Sequence, residues 1–210
     1  MINVLAINGS PRKEGNTSIL IRTILQELEN KGIQTETIQL GGKTIHGCRA
    51  CMKCFENRDG KCVMENDMVN SIIEKMREAD GIILGSPVYF LDVTPEMKAL
   101  IDRAGFVSYA NGFPLKNKVG NATVAVRRAG ASRTADTMLH FLLASGMIVP
   151  GLPVFGIGRE IGDVERDEEG LDRAKHLGRT IAGLLVHLDR HPLPDPEPDK
   201  PDERMIETKK

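Results

Sequence analysis

The sequence predicts an α/β fold built on a doubly wound parallel sheet. Short apolar runs suited to buried strands alternate along the chain with stretches whose apolar residues recur at helical spacing. Strands that read as apolar throughout, rather than alternating apolar and polar, belong in the middle of a parallel sheet covered on both faces. The 210 residues suffice for one such domain with a full core, whereas two independent domains would be a squeeze.

The elements follow in order. Ile2 to Ile7 reads as a buried strand, ended by the turn signal Asn8-Gly9-Ser10-Pro11. After Asn16, the apolar residues Ile21, Ile24, Leu25 and Leu28 mark one helix face, and Gly32 closes that helix. A second strand lies around Gln34 to Leu40, followed by a glycine- and cysteine-rich loop from Gly41 to Glu65. Asp67 is a good N-cap for a helix buried through Val69, Ile72, Ile73 and Met76. Gly81 to Gly85 is the third strand, and Thr94-Pro95 starts a helix running through Asp102 and Arg103. Ala122 to Val126 reads as the fourth strand, Ser132 to Ser145 as its helix, and Ile148 to Ile157 contains the fifth strand. Leu177, Ile181, Leu184, Leu185 and Leu188 mark a last amphipathic helix. Alternation of this kind gives right-handed crossovers. Five strands with no dinucleotide fingerprint after the first favour the flavodoxin-like order 2-1-3-4-5 over a six-stranded dinucleotide-binding sheet. Residues 1–190 are read as this one domain. Residues 191–210, with five prolines among charges, are read as an extended tail.

Composition narrows the function classes. A net charge of -1 supplies no global attraction to nucleic acid or anionic lipid. The stretch from Phe141 to Gly158 carries no charge, but its glycines and prolines interrupt it too often for a membrane span. The amino terminus lacks the basic segment of a signal peptide. All four cysteines lie between Cys48 and Cys62, whereas a disulfide scaffold would spread them to staple distant segments. A metal site in a reducing, cytoplasmic compartment is the expectation.

In the predicted sheet, ligands bind beyond the carboxyl ends of the strands. Three loops meet there. Gly9 to Ser18 offers hydroxyls, a helix amino terminus and the cation Arg12, the donors a phosphate monoester needs, although an ordinary capped turn would look similar. It lacks the Gly-Lys-Ser/Thr ending of a Walker loop. Gly85-Ser86-Pro87-Val88-Tyr89-Phe90 puts a rigid proline and two aromatics at a strand end, able to lie along a flat ring or simply to cover the core edge. Arg127 and Arg128 place two cations after the fourth strand, and Arg128 is the candidate contact to an anionic ligand.

Together GSPRKEGNTS, GSPVYF and the K-x-x-x-D-R of Lys98, Asp102 and Arg103 resemble the NADPH-dependent FMN reductase family, over about residues 1–190. The resemblance implies that Ser10, Arg12, Asn16, Thr17 and Ser18 hold the FMN phosphate. It implies equally that Pro87, Val88, Tyr89 and Phe90 line the flavin ring. Arg127-Arg128 departs from the family's glycine-rich third loop.

Cys48-x2-Cys51-x2-Cys54-x7-Cys62 is the sharpest motif. Three cysteines at three-residue spacing can wrap three corners of a cubane, and the fourth can close the last. Zinc usually takes two well-separated C-x2-C knuckles, so a [4Fe–4S] cluster is favoured, with zinc or uncommitted thiols as the alternatives. The spacing also resembles that of the iron–sulfur flavoproteins, the cluster-bearing branch of the same family. That resemblance implies a homodimer or homotetramer in which one subunit's cluster approaches another's flavin. The expected function is FMN-dependent electron transfer with a small-molecule or protein donor and acceptor, with no nucleic acid or membrane partner. The flavin carries the chemistry, so no catalytic side chain is assigned. A cluster-free NAD(P)H-dependent FMN or quinone reductase is one alternative, and a non-enzymatic binding module with structural zinc is another. His46 lies near the cysteine loop, and a surface histidine is its simpler reading. The remaining four histidines are assigned no role.

Overall fold

The structure, a computed structural model, describes residues 1–194. The elements run β1 (Asn3–Asn8), α1 (Asn16–Glu29), β2 (Gln34–Gln39), α2 (Lys53–Asn57), α3 (Val69–Glu78), β3 (Gly81–Pro87), α4 (Pro95–Ala110), β4 (Val119–Val126), α5 (Ala131–Ala144), β5 (Val154–Ile157) and α6 (Glu168–Arg190). The five strands form one sheet in the order β2-β1-β3-β4-β5, with every neighbouring pair parallel. The expected fold class and strand order are therefore observed. The tail falls outside the described residues from 195 onward.

Two apolar layers sandwich the sheet. On one face, Leu20, Ile24 and Leu28 of α1 pack with Leu177, Ile181 and Leu185 of α6 over Val4, Ala6 and Ile83. On the other, Ile72 and Met76 of α3, Met97 and Leu100 of α4 and Met138 and Leu142 of α5 cover Leu5, Ile7, Ile82 and Leu84. Alternate residues of β1 and β3 thus serve opposite cores, which is why these strands read as unbroken apolar runs.

Several boundaries moved for identifiable reasons. β4 begins at Val119, ahead of the expected Ala122, because buried Asn121 satisfies its amide by donating to Pro150 O at 2.7 Å. A polar residue that breaks an apolar run can still be strand when tertiary partners accept its hydrogen bonds. α3 begins at Val69 with Met68 in the cap position. Asp67 accepts from Val69 N at 3.1 Å as a cap would, but its other oxygen is committed to Arg103. Thr94 does precede Pro95 at the start of α4, yet its hydroxyl donates to Gly9 O at 2.9 Å instead of capping the helix. α6 starts well before Leu177, where Asp167 accepts from Gly170 N at 3.0 Å.

Candidate functional site: a cleft at the sheet edge and a cysteine pocket along α4

The strand order reverses between β1 and β3, and the chain leaves the sheet there through the two loops singled out in the sequence. Gly9 N donates to Gly85 O at 2.7 Å, so these loops are tied together at their roots. Beyond them lies a cleft lined by Ser10, Arg12, Asn16, Thr17, Pro87, Val88, Tyr89, Arg127 and Arg159, among others. Thr94 fixes the first loop from below, through its bond to Gly9 O.

The floor of the cleft is the start of α1, whose N-cap is Gly15 with no side-chain cap. Its first-turn N–H groups are therefore left without a capping side chain, the arrangement that accepts anions. Thr17 Oγ1 is buried and has no partner among the described residues. An orphaned hydroxyl of this kind costs about 1–3 kcal/mol unless something supplies an acceptor. No hydrogen bond or ion pair involves the side chain of Arg12 or Arg127 among the described residues. An unpartnered hydroxyl, uncapped N–H groups and uncommitted cations together suit a phosphate monoester, so the residues present fit FMN.

Individual residues differ from the sequence-based expectations. Asn16 lines the cleft, but its side chain holds the loop before α6. Oδ1 accepts from Gly162 N at 2.9 Å and Nδ2 donates to Glu160 O at 2.9 Å. Ser10 Oγ accepts from Arg12 N at 3.2 Å, shaping the loop. Ser18 is buried on α1 and does not border the cleft, nor does Arg128, whereas Arg127 does. Pro87, Val88 and Tyr89 form one wall. Phe90 stands 101% exposed at the tip of that loop, where it and Leu91 adopt left-handed backbone (φ 45 and 72). Non-glycine residues pay strain energy in that region, and such strain clusters at functional loops.

The cysteine loop leaves β2 beside this cleft. Gln39 Nε2 donates to Ser10 O and to Gly41 O at 3.0 Å, and Gly41 N donates to Asn8 O at 3.0 Å. Gly41 lies so close to the phosphate loop that a Cβ there would fall 2.2 Å from the Ser10 carbonyl carbon. Only glycine permits this approach. The loop then turns away and runs along α4, where buried Phe55 packs edge-on against Phe106 and Tyr109. Ala50 and Met52 take left-handed backbone (φ 49 and 57), bending the segment between the three closely spaced cysteines.

Cys48, Cys51, Cys54 and Cys62 all border one small cavity, closed from beneath by Arg103, Phe106 and Val107 of α4. None is disulfide-bonded. Burial pushes the Cys54 thiol up, and the neighbouring Cys62 and Cys48 push it further. No group of three or more His, Cys, Asp or Glu side chains among the described residues is arranged to hold a single metal ion. A cubane asks for something else: one thiolate on each of four irons around a shared centre. Four sulfurs bordering one cavity fit that demand. The cavity sits about 12–18 Å along α4 from Pro95, at 1.5 Å per residue, and shares no lining residue with the cleft.

Arg103 was marked in the sequence only as part of a family pattern. Its neighbour Asp102 points out to pair with Lys98, while Arg103 is 1% exposed and paired with Asp67. Only the helix register distinguishes the two, and it lies in the inward spacing Leu100, Arg103, Ala104, Val107.

The sequence model of the NADPH-dependent FMN reductase family matches residues 2–161. The chain belongs to that family. A protein of Methanocaldococcus jannaschii named as an iron–sulfur flavoprotein is 42% identical over 193 residues, covering 88% of this chain and 97% of its own length. A second so named, from Methanosarcina thermophila, is 34% identical, covering 90% and 98%. This FMN reductase family member thus lies in the iron–sulfur flavoprotein branch and is a flavin-dependent oxidoreductase. Among solved structures, the chain resembles RosB bound to 8-demethyl-8-formylriboflavin-5'-phosphate, with TM-score 0.74 and 20% identity, over 92% of this chain and 82% of that one. It also resembles an NAD(P)H:quinone oxidoreductase of Methanothermobacter marburgensis, with TM-score 0.68 and 17% identity, over 85% and 94%. At such identities these two likenesses concern the fold. Among the described residues of this reductase-family chain, no helix is long and apolar enough to cross a membrane.

Proposed function

We propose that this protein binds FMN in the cleft beyond β1 and β3 and exchanges electrons between FMN and a [4Fe–4S] cluster held by Cys48, Cys51, Cys54 and Cys62. The observation that carries the reading is that one chain presents both an anion-accepting cleft and four thiols bordering one cavity. The bound cofactors supply conversion between two-electron and one-electron transfer. The chain's own part is binding, orientation and insulation. Arg12, Thr17 and the α1 amino terminus hold the phosphate, with Ser10 and Asn16 keeping their loops in place and Ser18 supporting the helix from within. Pro87, Val88 and Tyr89 orient the ring. Arg127 is better placed than Arg128 to face its anionic edge, and Phe90 extends beyond the wall toward an incoming partner.

Residues 1–190 work as one cytoplasmic unit, where reducing conditions keep four thiols available. The donor and acceptor are a small molecule or another protein. That the cavity and the cleft share no lining residue supports transfer between subunits of a homodimer or homotetramer. Ile101, Phe106, Tyr109, Phe113 and Phe141 form an open apolar hollow on the α4–α5 face that suits such an assembly. Sedimentation at micromolar concentration should show an oligomer, and a monomer alone would count against this part of the reading.

Anaerobically purified protein should carry FMN, iron and acid-labile sulfide, the last two in equal amounts. Flavin without iron would reduce the reading to a cluster-free flavin or quinone reductase. Zinc without flavin would reduce it to a binding module. In the Arg12→Ala protein, loss of a charge-assisted bond worth about 1.5–3 kcal/mol should weaken FMN binding roughly ten- to a hundred-fold. Fluorescence titration with free FMN measures this, and an unchanged affinity would move the phosphate elsewhere.

A further inference from the structure

Among the described residues Arg103 is the largest fully buried side chain, and its position on the inward face of α4 would suit an apolar residue. An arginine there costs free energy unless its charge and donors are used. Nη1 donates to His46 O at 3.2 Å and to Asp67, and Nη2 donates to Met64 O at 2.8 Å. His46 and Met64 flank the cysteine segment on either side, so this one guanidinium ties its two ends together. Nε has no partner among the described residues although it is buried. The same side chain lines the cavity bordered by the four cysteines.

We propose that Arg103 is the positioning and potential-setting residue of the cysteine site, its spare Nε–H and its charge serving the cavity bordered by the four sulfurs while Asp67 partly offsets that charge. The inference rests on the cluster reading above and deepens it. Four thiolates around one centre leave the site net negative, and each added electron makes it more so. A buried cation with an unpaired donor at the wall of the cavity stabilises the reduced state, because net charge and hydrogen bonds to sulfur are what set cluster potentials. The pair with Asp67 makes the cation tunable: a lysine cannot reproduce the planar fork, whereas removing the carboxylate unmasks the guanidinium.

The test is an anaerobic redox titration of the intact protein, with the cluster followed by electron paramagnetic resonance. Arg103→Lys, which keeps a charge but loses the Nε–H and the fork, should favour the oxidised cluster about threefold, a fall of roughly 30 mV for a one-electron couple. Asp67→Asn, which keeps an oxygen for Val69 N, should move the potential the other way. Opposite shifts support the proposal, because a residue that merely stapled the loop would change stability and leave the potential in place. Iron-loaded variants whose potentials both match the parent overturn it. Should Arg103→Lys fail to fold or load, Asp67→Asn decides alone: a raised potential supports the proposal and an unmoved one overturns it. A parent protein without iron and sulfide overturns the cluster reading and this inference with it, whereas a loaded parent with unmoved variants overturns only the inference.

Discussion

The Cys51→Ala protein should keep its fold and its FMN yet lose its iron and acid-labile sulfide. The four cysteines lie on a loop outside the sheet, and none belongs to either apolar layer's fully buried set. Removing one sulfur therefore leaves the core intact but deprives one iron of its ligand. The cleft shares no lining residue with the cysteine cavity, so flavin affinity should stay within the error of the parent. Retention of full iron and sulfide would sink the ligand assignment. Rapid mixing of the reduced variant with a one-electron acceptor protein then tests the route. Slowed oxidation is expected, and transfer as fast as in the parent would take the cluster off the path.

The second large effect concerns the buried pair Asp67–Arg103, whose side chains are both 0% exposed. Asp67→Ala should destabilise the protein by about 3–5 kcal/mol, because it strands a buried guanidinium. It also leaves His46 N and Val69 N without their acceptor. Urea unfolding followed by circular dichroism measures this, and a loss below about 1 kcal/mol would mean that water reaches the pair. The pair also gives stability a pH dependence. Burial would raise the Asp67 carboxyl, but the bonds from Arg103, Val69 N and His46 N hold it below the ordinary value. A carboxyl depressed in the folded state contributes fully above its unfolded pKa of about 4 and loses that contribution as pH falls through the folded value. Acid should therefore weaken the parent more steeply than Asp67→Asn.

The candidate site was unevenly legible. Ser10, Arg12, Thr17 and the proline–aromatic loop could be placed from sequence because a strand end followed by a helix start fixes where those residues lie. Asn16 could not be read fully, since its partners Glu160 and Gly162 are more than 140 positions away. Arg127 borders the cleft and Arg128 does not, a difference set in the bend after β4 that no local spacing marks.

The alternation of strands and helices, the parallel order and the grouping of four cysteines in one segment were determined by sequence alone. Each is written in periods and spacings that a dozen neighbouring residues contain. Tertiary structure decided that the cysteine loop, although it starts at the flavin edge against Ser10, is carried down α4 by Phe55 packing on Phe106 and Tyr109. It likewise decided that Arg103 turns inward beneath that loop while Asp102 turns out. Those outcomes depend on which surfaces bury one another across long sequence separations, and local spacing does not encode that.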